Sequence, residues 1–327
     1  MQFLHISLFS GIGGFDLAAQ KIGWENAASC EINSFGQKIL TYYWPLAYHH
    51  KDIHDFNFET VNPILCGRFG HDWRTKYRLI ISGGFPCQPY SNAGKRLGKN
   101  DDRHLWPEML RIIREFQPDW IVGENVRGII SWNGGLVFDE VQSDLEVQGY
   151  QVVPFLLPAC GINAPHKRDR IWFVAHTNSD GHNGARHLFS QNRSEENQSI
   201  TVEEEWERFR DVFGRNVSER FIADSDCERL PKPSRRKQRS IYEKEKSPKR
   251  SKSNRTLTEN ERWAKFPTQS PVCSGNDGLP TGLDGITIQK WRIETTKGAG
   301  NAIVPELAYI LFNAIQEYEN YFLESLA

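Results

Sequence analysis

Residues 82–91, which read SGGFPCQPYS, place one cysteine, Cys87, between two prolines just after a short apolar run. The run 79–81 is predicted to form a buried strand, and the two glycines that follow end it. Cys87 therefore lies on a stiff bend, where a following helix N-terminus would lower the pKa of the thiol. Its setting favours a nucleophile, and the alternative is an inert buried cysteine.

A nucleophile of this kind needs an acid close by, and charged residues occur at suitable places. Glu124 ends the next predicted strand, DWIVGENV, and the carboxyl ends of parallel strands share one edge of a sheet. Arg168 and Arg170 alternate where a later strand, RIWFVAH, begins. The two arginines could bind an anion or hold the carboxylate of Glu124. Structural salt bridges, and a surface or capping role for Glu124, are the alternatives.

A glycine-rich segment, LFSGIGGFDLA, places Gly11, Gly13 and Gly14 between the first predicted strand and a helix. Glycines let the backbone approach a ligand closely and a helix N-terminus favours negative charge, although a structural tight turn would need the same residues. Glu31 follows the second predicted strand, where α/β nucleotide-binding proteins hold ribose hydroxyls. The pair indicates an adenosine-containing cofactor. The spacing G-x-G-G, and not G-x-G-x-x-G, argues against a dinucleotide.

These motifs belong to a chain whose first half alternates strand and helix patterns, as in a doubly wound α/β sheet. The series continues to about residue 176. Pro305 begins a last helix with a wide apolar stripe, which we expect to pack the C-terminus onto the N-terminal sheet. Before it, KGAGNAIVP is predicted to form a tight loop, in which Asn301 caps the helix or contacts a ligand.

The composition predicts a globular protein that stays in the cytoplasm. The chain has 327 residues, of which 39% are hydrophobic and 25% charged, and it contains no apolar run long enough to cross a membrane. Its N-terminus lacks the features of a signal peptide. The six cysteines form no C-x-x-C pair, which argues against a disulfide framework and a metal site. We therefore expect reduced thiols and no bound metal.

The net charge of −1 is unevenly distributed. Residues 229–255 contain twelve Lys or Arg and two Glu, a net charge of +10, which leaves −11 for the rest of the chain. The run is predicted to bind a polyanion such as nucleic acid. A solvated, disordered insert without a ligand is the alternative.

Five motifs follow one another in the order F-x-G-x-G-G, P-C-Q, E-N-V, R-x-R and G-N-A-x-x-P. This order resembles that of the DNA (cytosine-5)-methyltransferases over residues 1–176 and about 255–327, with stretches similar to the phage and prophage branch. The resemblance implies a Rossmann-like, S-adenosylmethionine-dependent methyltransferase fold, a mostly parallel sheet with helices on both faces. It also implies a catalytic domain of residues 1–176 plus 266–327 and a small basic target-recognition region of residues 177–265.

The resemblance assigns roles to individual residues. Cys87 would be the nucleophile, Glu124 the residue that engages the cytosine ring, and Arg168 with Arg170 the basic pair of the active site. The cofactor would be bound by Phe9, Gly11, Gly13, Gly14, Glu31, Asp52, Ile53, Pro86, Leu105 and Asn301. The DNA or the target base would be bound by Gln88, Ser91, Asn125, Val126, Arg235, Arg236, Lys237 and Arg239. The chain departs from the family at His166, where most members have glutamine.

The implied reaction is the transfer of a methyl group from S-adenosylmethionine to carbon 5 of a cytosine in double-stranded DNA. A thiolate that adds to carbon 6 pushes electrons into the ring, and an acid at nitrogen 3 stabilises the charge that develops. Loss of the proton from carbon 5 then releases the thiol, and the base must first flip out of the duplex. The alternatives are methylation of cytosine in tRNA and a catalytically silent DNA-binding relative.

The family further implies a sequence-specific modification methylase whose potential partner is a cognate restriction endonuclease that acts separately. A monomer is the expected state, because a single flipped base needs one active site.

Overall fold

The computed structural model describes residues 2–86, 104–162, 164, 166–177 and 288–324. Its strands are β1 (Gln2–Leu8), β2 (Glu25–Cys30), β3 (Tyr48–His50), β4 (Tyr77–Gly83), β5 (Trp120–Val126), β6 (Tyr150–Pro158) and β7 (Asp169–Thr177). Its α-helices are α1 (Gly14–Ile22), α2 (Ser34–Tyr43), α3 (Phe58–Phe69), α4 (Trp73–Lys76), α5 (Trp106–Phe116), α6 (Leu136–Val147), α7 (Ile288–Asn301) and α8 (Pro305–Glu324). Short 3-10 helices cover Arg127–Ile130, Trp132–Gly135 and Ala159–Ile162.

The strands form one sheet in the order β3-β2-β1-β4-β5-β7-β6. Strands β1 to β5 run parallel, and β7 is antiparallel to both of its neighbours. The predicted doubly wound, mostly parallel sheet is therefore confirmed. The strand order changes direction between β1 and β4, which opens a crevice at the carboxyl ends of these two strands.

Apolar residues on both faces of the sheet bind the helices to it. On β1, Leu4 and Ile6 belong to a core shared with α3, α5 and α6, whereas Phe3 belongs to a second core shared with α1 and α8. This alternation follows from the two-residue period of a strand. The apolar stripe of α8 is buried in the second core at Leu307, Ile310, Leu311, Ala314, Ile315 and Tyr318. The prediction that the last helix packs on the N-terminal sheet is confirmed.

The prediction of a tight loop at KGAGNAIVP is wrong in its extent. Helix α7 continues to Asn301, and the amide of Ala302 still donates to the carbonyl of Gly298 at 2.8 Å, so residues 302–304 alone link α7 to α8. The glycines of this segment suggested a loop, but Gly298 lies within the helix and is required for close packing. A Cβ at Gly298 would lie 2.8 Å from Cγ2 of Ile12, so glycine lets the helix approach the loop after β1.

A chain of buried polar groups crosses the sheet beneath that loop. The Nδ1 of His5 lies 2.7 Å from Oδ1 of Asn26, and its Nε2 lies 2.7 Å from the hydroxyl of Ser82. The amide nitrogen of Asn26 donates to the carbonyl of Asp16 at 2.8 Å. Because Oδ1 of Asn26 only accepts, Nδ1 of His5 carries the proton and Nε2 accepts from Ser82. Burial lowers the pKa of His5 to about 4, which keeps the ring neutral.

Cys30 and Cys66 are free thiols, and burial raises the pKa of Cys30 to about 12. A thiol with such a pKa stays protonated and unreactive at neutral pH. Within the described part of the chain, no helix combines the length and the apolar character that crossing a membrane would require.

Candidate active site

The sheet brings the predicted motifs to one edge. Residues 9–13 follow β1, residues 84–86 follow β4 and Glu124 lies near the end of β5, and these three parallel strands end at the same side. Because β7 runs antiparallel to β5, its first residues lie at that edge as well, and Arg170 is paired in register with Val126. The glycine loop and the segment before Cys87 thus flank the crevice between β1 and β4.

The loop after β1 has an unusual backbone. Phe9, Gly11 and Gly13 all have positive φ angles, of 52°, 57° and 85°. A bulky residue such as Phe9 is rarely found in this region, and its strain is held by the surrounding structure. A Cβ at Gly11 would meet no atom within 4 Å, whereas one at Gly13 would lie 2.4 Å from the ring of Trp44. Gly11 therefore borders open space, and Gly13 permits close packing.

Glu31 ties this loop to the end of β2. Its Oε2 accepts from the amide of Gly11 at 2.6 Å and its Oε1 accepts from the amide of Asn33 at 2.7 Å. Burial raises the pKa of Glu31, and these two hydrogen bonds oppose the shift. Each carboxylate oxygen retains capacity to accept a further hydrogen bond, as a hydroxyl ligand would require. Helix α2 lies so close to this loop that a Cβ at Gly36 would be 2.4 Å from the carbonyl oxygen of Gly11. Position 36 therefore requires glycine, which sequence reasoning missed.

Three residues extend this side of the crevice. The Oδ1 of Asp52, after β3, accepts from the amide of His54 at 3.1 Å. The side chain of Ile53 is buried in the core, and its carbonyl accepts from Arg111 at 2.8 Å. Ile32, which sequence reasoning missed, is 60% exposed beside Glu31 and offers an apolar surface there. An exposed isoleucine next to a buried acid was not recognisable without the fold.

Cys87, Gln88 and Ser91 lie outside the described residues, and the described residues on either side of them are in contact. The amide of Leu105 donates to the carbonyl of Pro86 at 3.3 Å, which joins the backbone before Cys87 to the residue that precedes α5. Asn125 is buried and its side chain donates to the carbonyl of Phe85 at 3.0 Å. The asparagine of the E-N-V motif thus holds the backbone that leads into Cys87.

Glu124 lies close to the described backbone that precedes that segment. It is buried, and its Oε1 lies 2.8 Å from Nε of Arg170. Its Oε2 lies 3.3 Å from the position that a Cβ would take at Gly84, three residues before Cys87. Burial raises the pKa of Glu124, while Arg170 and then Arg168 oppose the shift. The arrangement can present either a carboxylate or a protonated carboxyl to a ligand at this edge.

Arg168 has different neighbours from Arg170. Its Nη1 donates to the carbonyl of Gly300 at 3.0 Å and its Nη2 to the carbonyl of Ala302 at 2.5 Å. Its φ angle of 32° is positive, and its Nε is buried without a hydrogen-bond partner among the described residues. Burial and then Arg170 lower its pKa. Asn301, at the end of α7, is exposed beside these carbonyls.

His166 lies next to the two arginines. Burial, followed by the charges of Arg168 and Arg170, lowers the pKa of its imidazole. The ring is therefore neutral at neutral pH, as a glutamine side chain would be. Its Nδ1 is buried and has no hydrogen-bond partner within the described ranges. The departure from the family at this position preserves an uncharged group that can donate or accept a hydrogen bond.

Two exposed cations that sequence reasoning missed lie at the same edge. The Nη1 of Arg127 lies 3.0 Å from Oδ2 of Asp169, and Nζ of Lys167 lies 3.7 Å from the same oxygen. The side chains of Arg127 and Lys167 are 59% and 66% exposed, and Val126 beside them is 49% exposed. One carboxylate is thus shared between two cations. The charges are visible in the sequence runs ENVR and HKRDR. That Arg127 and Lys167 reach the same carboxylate depends on the pairing of β5 with β7.

Arg235, Arg236, Lys237 and Arg239, with the whole run 229–255, lie outside the described residues. The described residues fall into two groups at the edge. Arg170 contacts Glu124, Asn125 and Val126 follow it on β5, and Asn125 holds Phe85, the residue before the Pro86–Leu105 hydrogen bond. Around the glycine loop are gathered Phe9, Gly11, Gly13, Gly14 and Glu31, with Asp52, Ile53 and Asn301 at the margins.

The chain is similar to proteins of one known family. A family model described as C-5 cytosine-specific DNA methylase matches residues 3–278. The type II methyltransferase M.HgiCII of Herpetosiphon aurantiacus is 31% identical over 174 residues, 53% of this chain and 37% of that protein. The type II methyltransferase M.NgoBI of Neisseria gonorrhoeae is 33% identical over 170 residues, 52% of this chain and 49% of that protein.

A solved structure of a proposed DNA modification methyltransferase encoded within a prophage (E. coli) is 24% identical to the chain, with a TM-score of 0.44. The match covers 62% of this chain and 54% of that one. The chain therefore matches less than two thirds of the length of each of these relatives.

Proposed function

Because the chain belongs to the family of C-5 cytosine-specific DNA methylases, we propose that it transfers a methyl group from S-adenosylmethionine to carbon 5 of cytosine in double-stranded DNA. The observation that carries this proposal is the ion pair of Glu124 and Arg170, 2.8 Å apart, at the entrance to the P-C-Q segment. Attack on the ring by Cys87 needs an acid in reach of the same base, and Glu124 borders the backbone that leads to Cys87.

Glu124 would hydrogen-bond nitrogen 3 of the cytosine. Burial favours its protonated form, so it can donate a proton as negative charge develops in the ring. Arg170 would fix the orientation of this carboxyl through the contact of its Nε with Oε1. Asn125 would position the backbone before Cys87 through its hydrogen bond to Phe85. In this proposal the thiolate of Cys87 adds to carbon 6 and leaves when carbon 5 loses its proton.

The glycine loop and Glu31 fit the proposed cofactor. Open space beside Gly11 would admit a ligand against the backbone, and the carboxylate of Glu31 can accept from ribose hydroxyls. The exposed side chain of Ile32 would contact the adenine ring, beside Asp52. When bound, S-adenosylmethionine would supply an electrophilic methyl group. The loop, strained at Phe9, would hold it at the same crevice as Glu124.

Binding of DNA would involve the basic groups. The run 229–255, with its net charge of +10, lies in the proposed target-recognition region of residues 177–265, and phosphate contacts from it would offset part of the cost of flipping a base. Arg127 and Lys167 would contact phosphates next to the flipped base, because they are exposed at the edge that carries Glu124. A sequence-specific modification methylase, acting as a monomer beside a separate restriction endonuclease, completes the proposal.

The test is base-resolution conversion sequencing of DNA from cells that express the chain. We expect protected cytosines in one sequence context, and their loss with Cys87→Ala. Cys66→Ala is the matched control, since Cys66 lies on α3 and hydrogen-bonds Asn62 at 3.6 Å, away from this edge. Protection that survives in Cys87→Ala would exclude the proposed nucleophile. Soluble protein that methylates tRNA and leaves duplex DNA untouched would exclude the proposed substrate.

Methyl transfer by purified Glu124→Gln tests the acid. Because general acid assistance contributes about 10²- to 10⁴-fold, we expect a loss of that size at saturating cofactor. Glu59→Gln, which changes an exposed carboxylate in the first turn of α3, serves as the control and should keep full activity. Equal rates in the two variants would remove Glu124 from the mechanism.

A further inference from the structure

The guanidinium of Arg168 is aimed at the end of helix α7. Its Nη1 and Nη2 donate to the carbonyls of Gly300 and Ala302, at 3.0 and 2.5 Å. The last four carbonyls of an α-helix lack partners within the helix, and a cation interacts favourably with that end. A planar guanidinium can bind two such carbonyls at once. Arg168 therefore caps α7 from the start of strand β7, about 130 residues earlier in the chain.

The segment that Arg168 holds, residues 298–304, lies against the glycine loop. A Cβ at Gly14 would lie 2.6 Å from Cγ1 of Ile303, and one at Gly298 would lie 2.8 Å from Cγ2 of Ile12. At both points one side contributes an isoleucine and the other a glycine, so the two backbones approach closely. Movement of this segment would therefore be transmitted to the loop that carries Gly11.

Arg170 makes none of these contacts in the described structure. Its Nε binds Glu124, and its Nη1 donates to the carbonyl of Asp169 at 3.0 Å. The R-x-R motif thus separates into one arginine that meets the acid and one that meets α7. The electrostatic influence of Arg168 on Glu124 is weaker than that of Arg170.

We infer that Arg168 is a positioning residue for the cofactor side of the site, which fixes residues 298–304 against the glycine loop while Arg170 engages Glu124. This inference rests on the proposed function, and it changes the role expected for Arg168 from the family resemblance. Loss of the guanidinium would release the end of α7, loosen the packing of Ile303 on Gly14, and weaken the binding of S-adenosylmethionine. The chemical step at saturating cofactor would be nearly unaffected.

Binding and turnover in matched variants test the inference. For Arg168→Ala we expect the Kd for S-adenosylmethionine, measured by calorimetry without DNA, to rise by about tenfold, which corresponds to about 1.4 kcal/mol. Its kcat at saturating cofactor should fall less than about threefold, a pattern that marks loss of binding and not of transition-state contacts. Arg170→Ala should show the reverse pattern. Arg168→Lys, which keeps the charge and can still donate to one carbonyl, should be intermediate and serves if Arg168→Ala does not fold.

Amide hydrogen exchange gives a readout that needs neither cofactor nor DNA. In Arg168→Ala or Arg168→Lys, residues 298–304 should exchange faster, while α5 on the opposite face of the sheet stays unchanged. Unchanged exchange and unchanged Kd, with a kcat as low as that of Arg170→Ala, would overturn the inference and return Arg168 to the catalytic pair. If the unaltered chain bound no S-adenosylmethionine, the proposed function would fail, and the exchange comparison would still decide whether Arg168 holds α7.

Discussion

The buried carboxyl of Asp16, in the first turn of α1 beneath the glycine loop, makes the stability of the fold depend on pH in a way that can be measured. Asp16 is 2% exposed, and burial raises its pKa from 3.8 to about 7, although Ser7 and the backbone of Asp16 oppose the shift. The folded chain therefore retains a proton that the unfolded chain releases. At 1.36 kcal/mol per pH unit, ionising Asp16 in the fold costs about 4 kcal/mol.

The sign of this effect is opposite to that of His5, which lies on the adjacent strand β1. Asp16 contributes stability fully below pH 3.8 and loses it as the pH rises through 7, because its folded pKa is raised. His5 has a folded pKa lowered from 6.5 to about 4, so its contribution is lost as the pH falls through that window, by about 3 kcal/mol in total. Between pH 4 and 6.5 the two contributions largely cancel.

Asp16→Asn removes one of these opposing contributions. The free energy of unfolding of the variant relative to the unaltered chain should rise by about 3 kcal/mol between pH 5 and pH 8, measured by urea denaturation at each pH. Any change in hydrogen bonding by the amide adds an offset that does not vary with pH. Asp55→Asn, at an exposed carboxylate after β3, is the control. Its free energy of unfolding should vary with pH in the same way as that of the unaltered chain. A parallel curve for Asp16→Asn would show that Asp16 ionises as in water, and would refute the reasoning from burial.

Two further predictions concern the edge of the site. His166→Gln should keep methyl transfer within about threefold, because the lowered pKa makes His166 a neutral hydrogen-bonding group, and a loss as large as that expected for a general acid would show that the imidazole takes part in proton transfer. Arg127→Ala and Lys167→Ala should each make the negative slope of log affinity for DNA against log salt less steep by about 1. Lys76→Ala, at the opposite edge of the sheet before β4, should leave the slope unchanged. Equal slopes in all three variants would exclude phosphate contacts by Arg127 and Lys167.

Local patterns in the sequence were sufficient to predict the α/β class, the strands β1, β2, β4, β5 and β7, and the helices α1 and α8. Alternating strand and helix signals gave the α/β class, and the stripe beginning at Leu307 predicted the helix that closes the second core. The short strand β3 and the helices α2, α3, α4, α6 and α7 were not predicted. Tyr48–His50 spans only three residues, and α3 and α6 have weak apolar stripes. Tertiary packing, and not local preference, stabilises such elements.

The site divides along similar lines. Glycines and acids at strand ends are visible in the sequence, so Glu31 and Glu124 were identified as candidates before the fold was known. Contacts between distant segments are not visible, and these include the tie between Leu105 and Pro86 and the sharing of Asp169 by two cations. They depend on strand order and on the antiparallel direction of β7, which no single motif encodes.

The separation of Arg168 from Arg170 has its origin in the backbone, and this leads to a last prediction. Spacing of two residues predicts side chains on one face of a strand, but β7 begins at Asp169, and the φ of 32° at Arg168 turns its side chain towards α7. A Cβ in this region costs about 1 kcal/mol relative to glycine. The free energy of unfolding of Arg168→Gly, measured in urea, should therefore be about 1 kcal/mol higher than that of Arg168→Ala. Both variants lose the same hydrogen bonds to α7, so they should bind S-adenosylmethionine equally weakly. If Arg168→Ala proved as stable as Arg168→Gly, the left-handed turn would not persist without the guanidinium, and the contact with α7 would be what holds the backbone in that conformation.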